Sequence, residues 1–353
     1  MSDGTLPSSL DCALQEQVAV GCPGAILAIS APTLGVDLSR AAGMFARGNL
    51  RPLRPTDAFR AASVTKVVTA AAAVTLASRG RWSLDDAVAA WLPSPVLESL
   101  HHLEGLASIK ALTLRRLLGH TSGLPDYFFD PRFQARVEAD PDRVWRPDEL
   151  VEAAAGSGAM LFAPGSGFAY VDTGYVLVGI AIEGLLGRPL AEAYRSLIFD
   201  PLGMDDTYLE WHEPSRGPDL SHHYDGDRDL RLVNMSYDWA GGGLVTTATD
   251  LVTFLRGLFG RTLVADRWVA EMTHWNKAVR WRPHSTARYL RYGLGLGVNQ
   301  AYGEDIVGVT GVWGAFAYYW PSGDAAIAGT LNLRGADRPA LLDAAICALK
   351  QRK

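Results

Sequence analysis

The spacing of apolar and polar positions divides the chain into strand-like ends and a helical middle. Residues 10–20 gather their apolar side chains on one face and predict an amphipathic helix. Residues 24–30, Gly-Ala-Ile-Leu-Ala-Ile-Ser, are an apolar run ended by Pro32, the pattern of a buried strand. A second strand, paired with the first, is predicted within 33–46, and the two prolines of 49–56 mark a loop. Residues 61–77 are rich in Ala and Val, with no breaker before Arg79-Gly80. That is a helix apolar on nearly every side, so it should be buried.

Helical patterns continue through the middle. Residues 115–118 stop at Gly119, and Gly123 and Pro125 make 120–126 a loop. A short helix is predicted over 148–155, followed by the turn Ala163-Pro164-Gly165-Ser166-Gly167. An apolar helix over 172–186 closes at Gly187, and another covers 189–198. Residues 205–234 are polar and irregular. Gly241-Gly242-Gly243 marks a tight backbone feature before a helix at 249–259. Strands then follow at 307–310, 315–320 and 325–332, and a helix at 336–351 closes the chain.

Strands at both ends of a helical middle predict one antiparallel sheet flanked by the terminal helices. The expected class is α/β (α+β). Residues 1–70 and 236–353 would form an α/β lobe, and 71–235 a mainly helical lobe. A cleft between two such lobes is a natural small-molecule site.

Composition excludes several classes. With 353 residues, 48% hydrophobic and 20% charged, the chain has globular proportions. A net charge of −5 with no basic block argues against nucleic acid or an anionic membrane as main partner. No apolar window reaches a membrane span, and the N-terminus lacks the features of a secretory signal, so a cytoplasmic location is expected. Cys12, Cys22 and Cys347 form no Cys-x-x-Cys and read as reduced thiols.

Three segments carry candidate chemistry. In Ser63-Val64-Thr65-Lys66 the i, i+3 spacing puts a hydroxyl beside an amine on one helix face. A desolvated lysine there can act as base for the serine, and the alternative is an N-cap serine with a solvent-seeking lysine. Lys66 sits among Val64, Val67, Val68 and Ala70, which favours the first. Tyr170-Val171-Asp172 lies between the 163–167 turn and the next helix, where both polar side chains can enter a cleft. Its alternative is a packed tyrosine and a capping aspartate. In Gly308-Val309-Thr310-Gly311-Val312-Trp313-Gly314 a glycine-flanked strand edge can receive a substrate, or can simply make a bulge or hairpin corner.

In this order the three segments resemble the penicillin-recognising serine hydrolases: the branch of class C β-lactamases, D,D-peptidases and β-lactamase-like esterases. Ser63-x-x-Lys66 matches the first motif of that family and Tyr170-x-Asp172 its Tyr-x-Asn. Val309-Thr310-Gly311 falls where Lys-Thr-Gly or His-x-Gly is expected. Leu117 to Pro125, Gly241-Gly242-Gly243-Leu244 and Tyr292-Gly293-Leu294-Gly295 also look like the family.

The resemblance implies a β-lactamase/transpeptidase-like fold and acyl transfer through Ser63, with Lys66, Tyr170 or both taking its proton. It implies an oxyanion hole made by the N–H groups of Ser63 and Val312. Asp172, Thr310, Gly311, Trp313 and Tyr127 are expected to support or bind substrate. Tyr318 and Trp320 are weaker candidates for an aromatic acyl pocket, core packing being their alternative. Asp172 in place of Asn couples three titrating groups and leaves the base unassigned.

Val309 lacks the charge that binds a substrate carboxylate, which favours a neutral acyl group unless Arg288, Arg291 or Arg334 supplies it. The expected activity is esterase or amidase. Biosynthetic acyltransferase is the alternative, with β-lactamase, D,D-peptidase or a non-catalytic binding protein lower. The partner is a small acyl substrate and no cofactor is implied. His222-His223 beside Asp225 and the loop residue His120 are not expected to bind a metal or to catalyse.

Overall fold

The computed structural model describes residues 6–103, 106–107, 109–276 and 289–353. Its strands in chain order are β1 (Gly24–Ala31), β2 (Val36–Gly43), β3 (Phe59–Arg60), β4 (Tyr208–Leu209), β5 (Tyr224–Asp225), β6 (Arg228–Asp229), β7 (Leu244–Thr246), β8 (Arg291–Tyr292), β9 (Gly297–Ala301), β10 (Glu304–Thr310), β11 (Ala315–Trp320) and β12 (Ala325–Leu331). Seven of them form one sheet in the order β2-β1-β12-β11-β10-β9-β8, and each recorded strand pair in it is antiparallel. The first and last long strands are neighbours: Ala28 of β1 faces Ala328 of β12. The expected α/β (α+β) architecture, an antiparallel sheet with helices on both sides, is what the chain builds.

The sheet separates two cores, and strand parity does the sorting. From β1, Ile26 and Ala28 enter the larger core, while Ala25, Leu27 and Ile29 enter the smaller one. From β11, Ala315 and Ala317 face the larger core, and Phe316, Tyr318 and Trp320 face the smaller one. Both faces are therefore apolar, which is why these strands read as continuous apolar runs rather than alternating ones. The smaller core is closed by the terminal helices Leu6–Ala19 and Arg338–Lys350, which pack on each other. Tyr318 and Trp320 thus lie on the side away from the helical layer and do not line an acyl pocket.

The larger core holds the helix Thr65–Ser78, buried on every side apart from its last residue. It packs against the helix Thr173–Leu186 and the short helix Trp239–Gly242. Each Val or Leu it buries contributes about 1.5–3 kcal/mol, enough for a short Ala-rich helix to hold Lys66 in its first turn.

Several boundaries differ from the sequence pattern. Ser63 lies not in the α-helix but in the middle of a 3-10 turn, Ala62–Val64, which leads into it. The second strand starts only at Val36 because Pro32–Leu34 forms a 3-10 turn first. β8 and β9 flank Gly293 and Gly295 and were hidden by them. The 205–234 stretch contains β4, β5 and β6. Among the described residues no single helix is long and apolar enough to cross a membrane. The three cysteines are unpaired.

Candidate active site

Ala62 precedes Ser63 with φ +46°, a left-handed conformation for a residue with a Cβ. Such strain costs about 1–3 kcal/mol and persists only where the surroundings impose it. Gly311, at the end of β10, allows that packing. A Cβ there would lie 2.4 Å from the Ala61 carbonyl and 2.9 Å from the Ala62 Cβ. The 3-10 turn and the strand end therefore meet without an intervening side chain, and Ser63 and Val312 line the same cleft.

One turn after Ser63, Lys66 is fully buried. Its Nζ donates to Ser63 Oγ at 3.2 Å, to the Gly241 carbonyl at 2.8 Å and to Asp172 Oδ1 in a short ion pair. Three acceptors match the three N–H donors of an ammonium. Gly241 is needed here for space, since a Cβ on it would stand 2.7 Å from Asp172 Oδ1.

The loop after Gly119 holds Tyr170 and Asp172 in place. The Ala169 amide donates to the His120 carbonyl (2.9 Å), and the Val171 amide to His120 Nδ1 (3.3 Å). The Asp172 amide donates to Asp126 Oδ1 (3.0 Å), and Thr173 Oγ1 to the Pro125 carbonyl (2.7 Å). The His120 ring lies 4.2 Å from the Tyr170 ring. Burial, then the Lys66 charge, push the imidazole well below its usual range, so it is a neutral positioning group.

Tyr170 is buried, with its hydroxyl in hydrogen-bond contact with Ser63. Burial first, then Tyr289 and Asp172, push the phenol well above its ordinary value. It is therefore a neutral donor at rest, not a phenolate.

The cleft itself is narrow, with about 30 Å³ of room for a water-sized group. Its walls include Ser63, Tyr170, Asp172, Thr310, Gly311 and Val312. The structure thus gathers all three motif segments at one cavity. Among the described residues, the Val312 N–H has no hydrogen-bond acceptor.

Two supporting residues sit elsewhere than expected. Tyr127 is fully buried with its hydroxyl on the Tyr237 carbonyl (2.7 Å) and its ring against Phe133, so it does not reach the cleft. Its neighbours Phe128 and Phe129 line the cavity instead. Trp313 lies behind the wall, where its Nε1 donates to Asp238 Oδ2 at 3.4 Å.

The charge pattern also differs from the one Val309 suggested. Val309 is fully buried and is not part of the wall. Arg291 pairs with Asp305 and Arg334 with Asp225, while Arg288 lies outside the described residues. Among the described residues, the cation on the cleft wall is Arg338, whose Nη1 donates to the Gly311 carbonyl at 3.2 Å. It is the first residue of the last helix, whose N-cap Asp337 accepts from the Ala340 amide at 3.1 Å.

Asp238 completes the wall, and burial, then Asp172, push its carboxyl up to about 7. Sequence reasoning passed over Asp238, Arg338, Phe128 and Phe129. The one signal for Asp238 was an acid three residues before a triple glycine.

No group of three potential metal ligands occurs among the described residues. His222 Nδ1 is bonded to Asp229 Oδ2 (2.6 Å), and His223 packs beside Trp313.

Comparisons with known proteins agree with this architecture. The esterase EstB of Burkholderia gladioli is 34% identical over 217 residues, covering 60% of this chain and 52% of EstB. The chain spans about half, or less, of the length of the curated relatives it matches. The solved D-stereospecific amidohydrolase from Streptomyces sp. superposes with a TM-score of 0.81 at 29% identity, covering 96% of this chain and 98% of the other. The D-amino acid amidase from Ochrobactrum anthropi SV3, in complex with L-phenylalanine, gives 0.84 at 26% identity, covering 98% of each. With the sequence model of the Beta-lactamase family matching residues 12–350, the chain belongs to the β-lactamase family.

Proposed function

We propose that the chain is a serine hydrolase that cleaves a small ester or amide through an acyl-Ser63 intermediate. The observation that carries this is the Ser63 hydroxyl 3.2 Å from a fully buried Lys66, on the wall of an open cleft. A serine held by a buried ion pair beside an unpartnered backbone N–H has the parts that acyl transfer needs.

In this reading Ser63 Oγ attacks the carbonyl carbon. The Ser63 proton enters the coupled Lys66–Asp172–Tyr170 group. Lys66 can accept it while passing one of its own protons to Asp172 Oδ1, so the pair gains one positive charge that offsets the negative charge of the oxyanion. The oxyanion is held by the N–H groups of Ser63 and Val312. Each such donor lowers the barrier by about 3 kcal/mol. Tyr170, already a neutral donor beside Ser63, protonates the leaving alcohol or amine and is reprotonated from Lys66. Water then attacks the acyl-Ser63 ester by the same route in reverse.

Phe128 and Phe129 favour an aromatic or apolar acyl side chain, and Arg338 gives the cleft a cation that a substrate carboxylate can use. The amidase and esterase relatives support an uncharged scissile ester or amide.

The test is intact-protein mass after brief exposure to a short-chain p-nitrophenyl ester, with Ser63→Ala alongside. One acyl adduct, or p-nitrophenol release, seen only with Ser63 supports the reading. No adduct with any activated donor sinks it in favour of a binding protein. Adducts resolved by added alcohols or amines faster than by water make the chain an acyltransferase. Rapid cephalosporin turnover makes it a β-lactamase.

A further inference from the structure

Tyr289 lies just before β8, is buried, and has no task in the proposed mechanism. Its hydroxyl accepts a hydrogen bond from the Thr310 amide at 3.0 Å, with Thr310 Oγ1 at 3.5 Å. Among the described residues no strand reaches that amide. β9 pairs with β10 only as far as Gly297 opposite Gly308, two residues short of Thr310. The next amide, of Gly311, turns towards β11 and donates to the Ala315 carbonyl at 2.7 Å. Alternate residues of a strand offer their amides to opposite edges, so the Thr310 amide faces the edge that β9 has left. There the phenol takes the place of a strand carbonyl.

The surroundings of Tyr289 are shaped for this contact. A Cβ on Gly297 would stand 2.4 Å from Tyr289 Cδ1, 2.5 Å from its Cγ and 3.0 Å from its Cβ, so glycine lets the ring lie on β9. The Leu290 amide donates to the Val298 carbonyl at 2.8 Å and fixes the adjoining backbone. The Tyr289 ring centroid is 5.4 Å from that of Tyr292, which is 6.0 Å from Tyr170 and 5.0 Å from His120. The phenol that binds β10 is thus packed into the aromatic cluster that holds Tyr170. Burial pushes that phenol upward, so it is a neutral hydroxyl that accepts from Thr310 and keeps its own proton.

We infer that Tyr289 is a positioning residue for acyl transfer: its hydroxyl holds the end of β10, and with it Gly311 and Val312, against the Ser63 turn. This rests on the acyl-Ser63 reading and goes beyond it. Tyr289 is not part of the cleft wall and acts through Thr310. Arg338 grips the same strand end from the last helix, through the Gly311 carbonyl, so the two contacts fix successive peptide groups.

Tyr289→Phe keeps the ring on Gly297 and removes only the acceptor. Hydrogen–deuterium exchange at the Thr310 amide should quicken about tenfold, as for the loss of one neutral hydrogen bond. Acylation is read as the p-nitrophenol burst with a short-chain p-nitrophenyl ester. Its maximal rate should fall about tenfold, while the ester concentration giving half that rate stays within about twofold. A role in stability alone would lower Tm and leave the burst rate per active site unchanged. Gly297→Ala is the second variant, because it keeps the hydroxyl and displaces the ring from its seat. It should slow the burst as well, and it decides alone if Tyr289→Phe does not fold.

A burst rate within about twofold of wild type, or unchanged exchange at Thr310, overturns the positioning role and leaves the hydrolase reading intact. A wild-type chain that forms no acyl-Ser63 overturns both.

Discussion

Gly311→Ala tests whether the contact between β10 and the Ser63 turn sets the reactive geometry. The new Cβ would lie 2.4 Å from the Ala61 carbonyl oxygen, where ordinary contact begins near 3.4 Å. That oxygen is backbone and the next contact, Ala62 Cβ at 2.9 Å, is bonded directly to backbone, so no side chain can swing away and the strand end must retreat by about 1 Å. Val312 follows Gly311 directly, so its N–H moves with it. A displacement of about 1 Å at a catalytic group can lower the rate about 100-fold. Overpacking at such a site costs about 1–3 kcal/mol. In a chain of this size that lowers Tm by a few degrees, at about 2–4 °C per kcal/mol.

The assay is kcat/KM on a p-nitrophenyl ester beside a thermal melt. Gly156→Ala is the comparator, because a Cβ there meets nothing within 4 Å and the residue closes the helix Pro147–Gly156. It should leave activity alone and stabilise by about 0.4–1 kcal/mol. Gly311→Ala with kcat/KM within threefold of wild type and an unchanged Tm would refute the argument.

Three further outcomes follow from the buried charges. Asp172→Ala leaves Lys66 without its counter-ion in a fully buried position and should destabilise by about 3–5 kcal/mol, read by urea unfolding. Adding Lys66→Met should recover part of that loss, and strict additivity would contradict the pairing. Tyr170→Phe should lower kcat about 100- to 10,000-fold. It should not alter the shape of the pH–rate profile between pH 6 and 9, because burial keeps the phenol neutral there, and a lost limb in that range would show a phenolate base.

Asp238 is raised from 3.8 to about 7, so its contribution to stability is complete below pH 3.8 and lost as pH rises through 7. Relative to wild type, Asp238→Asn should therefore gain about 3 kcal/mol between pH 5 and pH 8. Parallel denaturant curves at the two pH values would contradict this.

The local patterns of the chain were enough to locate the buried helix that carries Lys66, the loop before Tyr170 and the strand that ends at Thr310. Those features depend on short-range properties: the i, i+3 spacing, Ala-rich helix propensity and the placement of glycines. The order of the three segments pointed to the fold, because that order is itself written along the chain.

What the chain could not reveal by itself depends on residues far apart in sequence. Strand parity sent Tyr318 and Trp320 to the terminal-helix side, and parity cannot be assigned to a face until both faces have partners. Tyr127 and Phe128 are adjacent, yet one enters the core and the other the cleft, which only the path of the loop decides. Arg338 reaches the cavity because the last helix begins beside β10, more than twenty residues after it in the chain. Asp238 acquires its raised carboxyl from burial and from Asp172, which lies in another loop. Side-chain chemistry and local conformation are properties of the sequence. The charge balance of the cleft is a sum over distances that only the folded chain brings within a few ångströms.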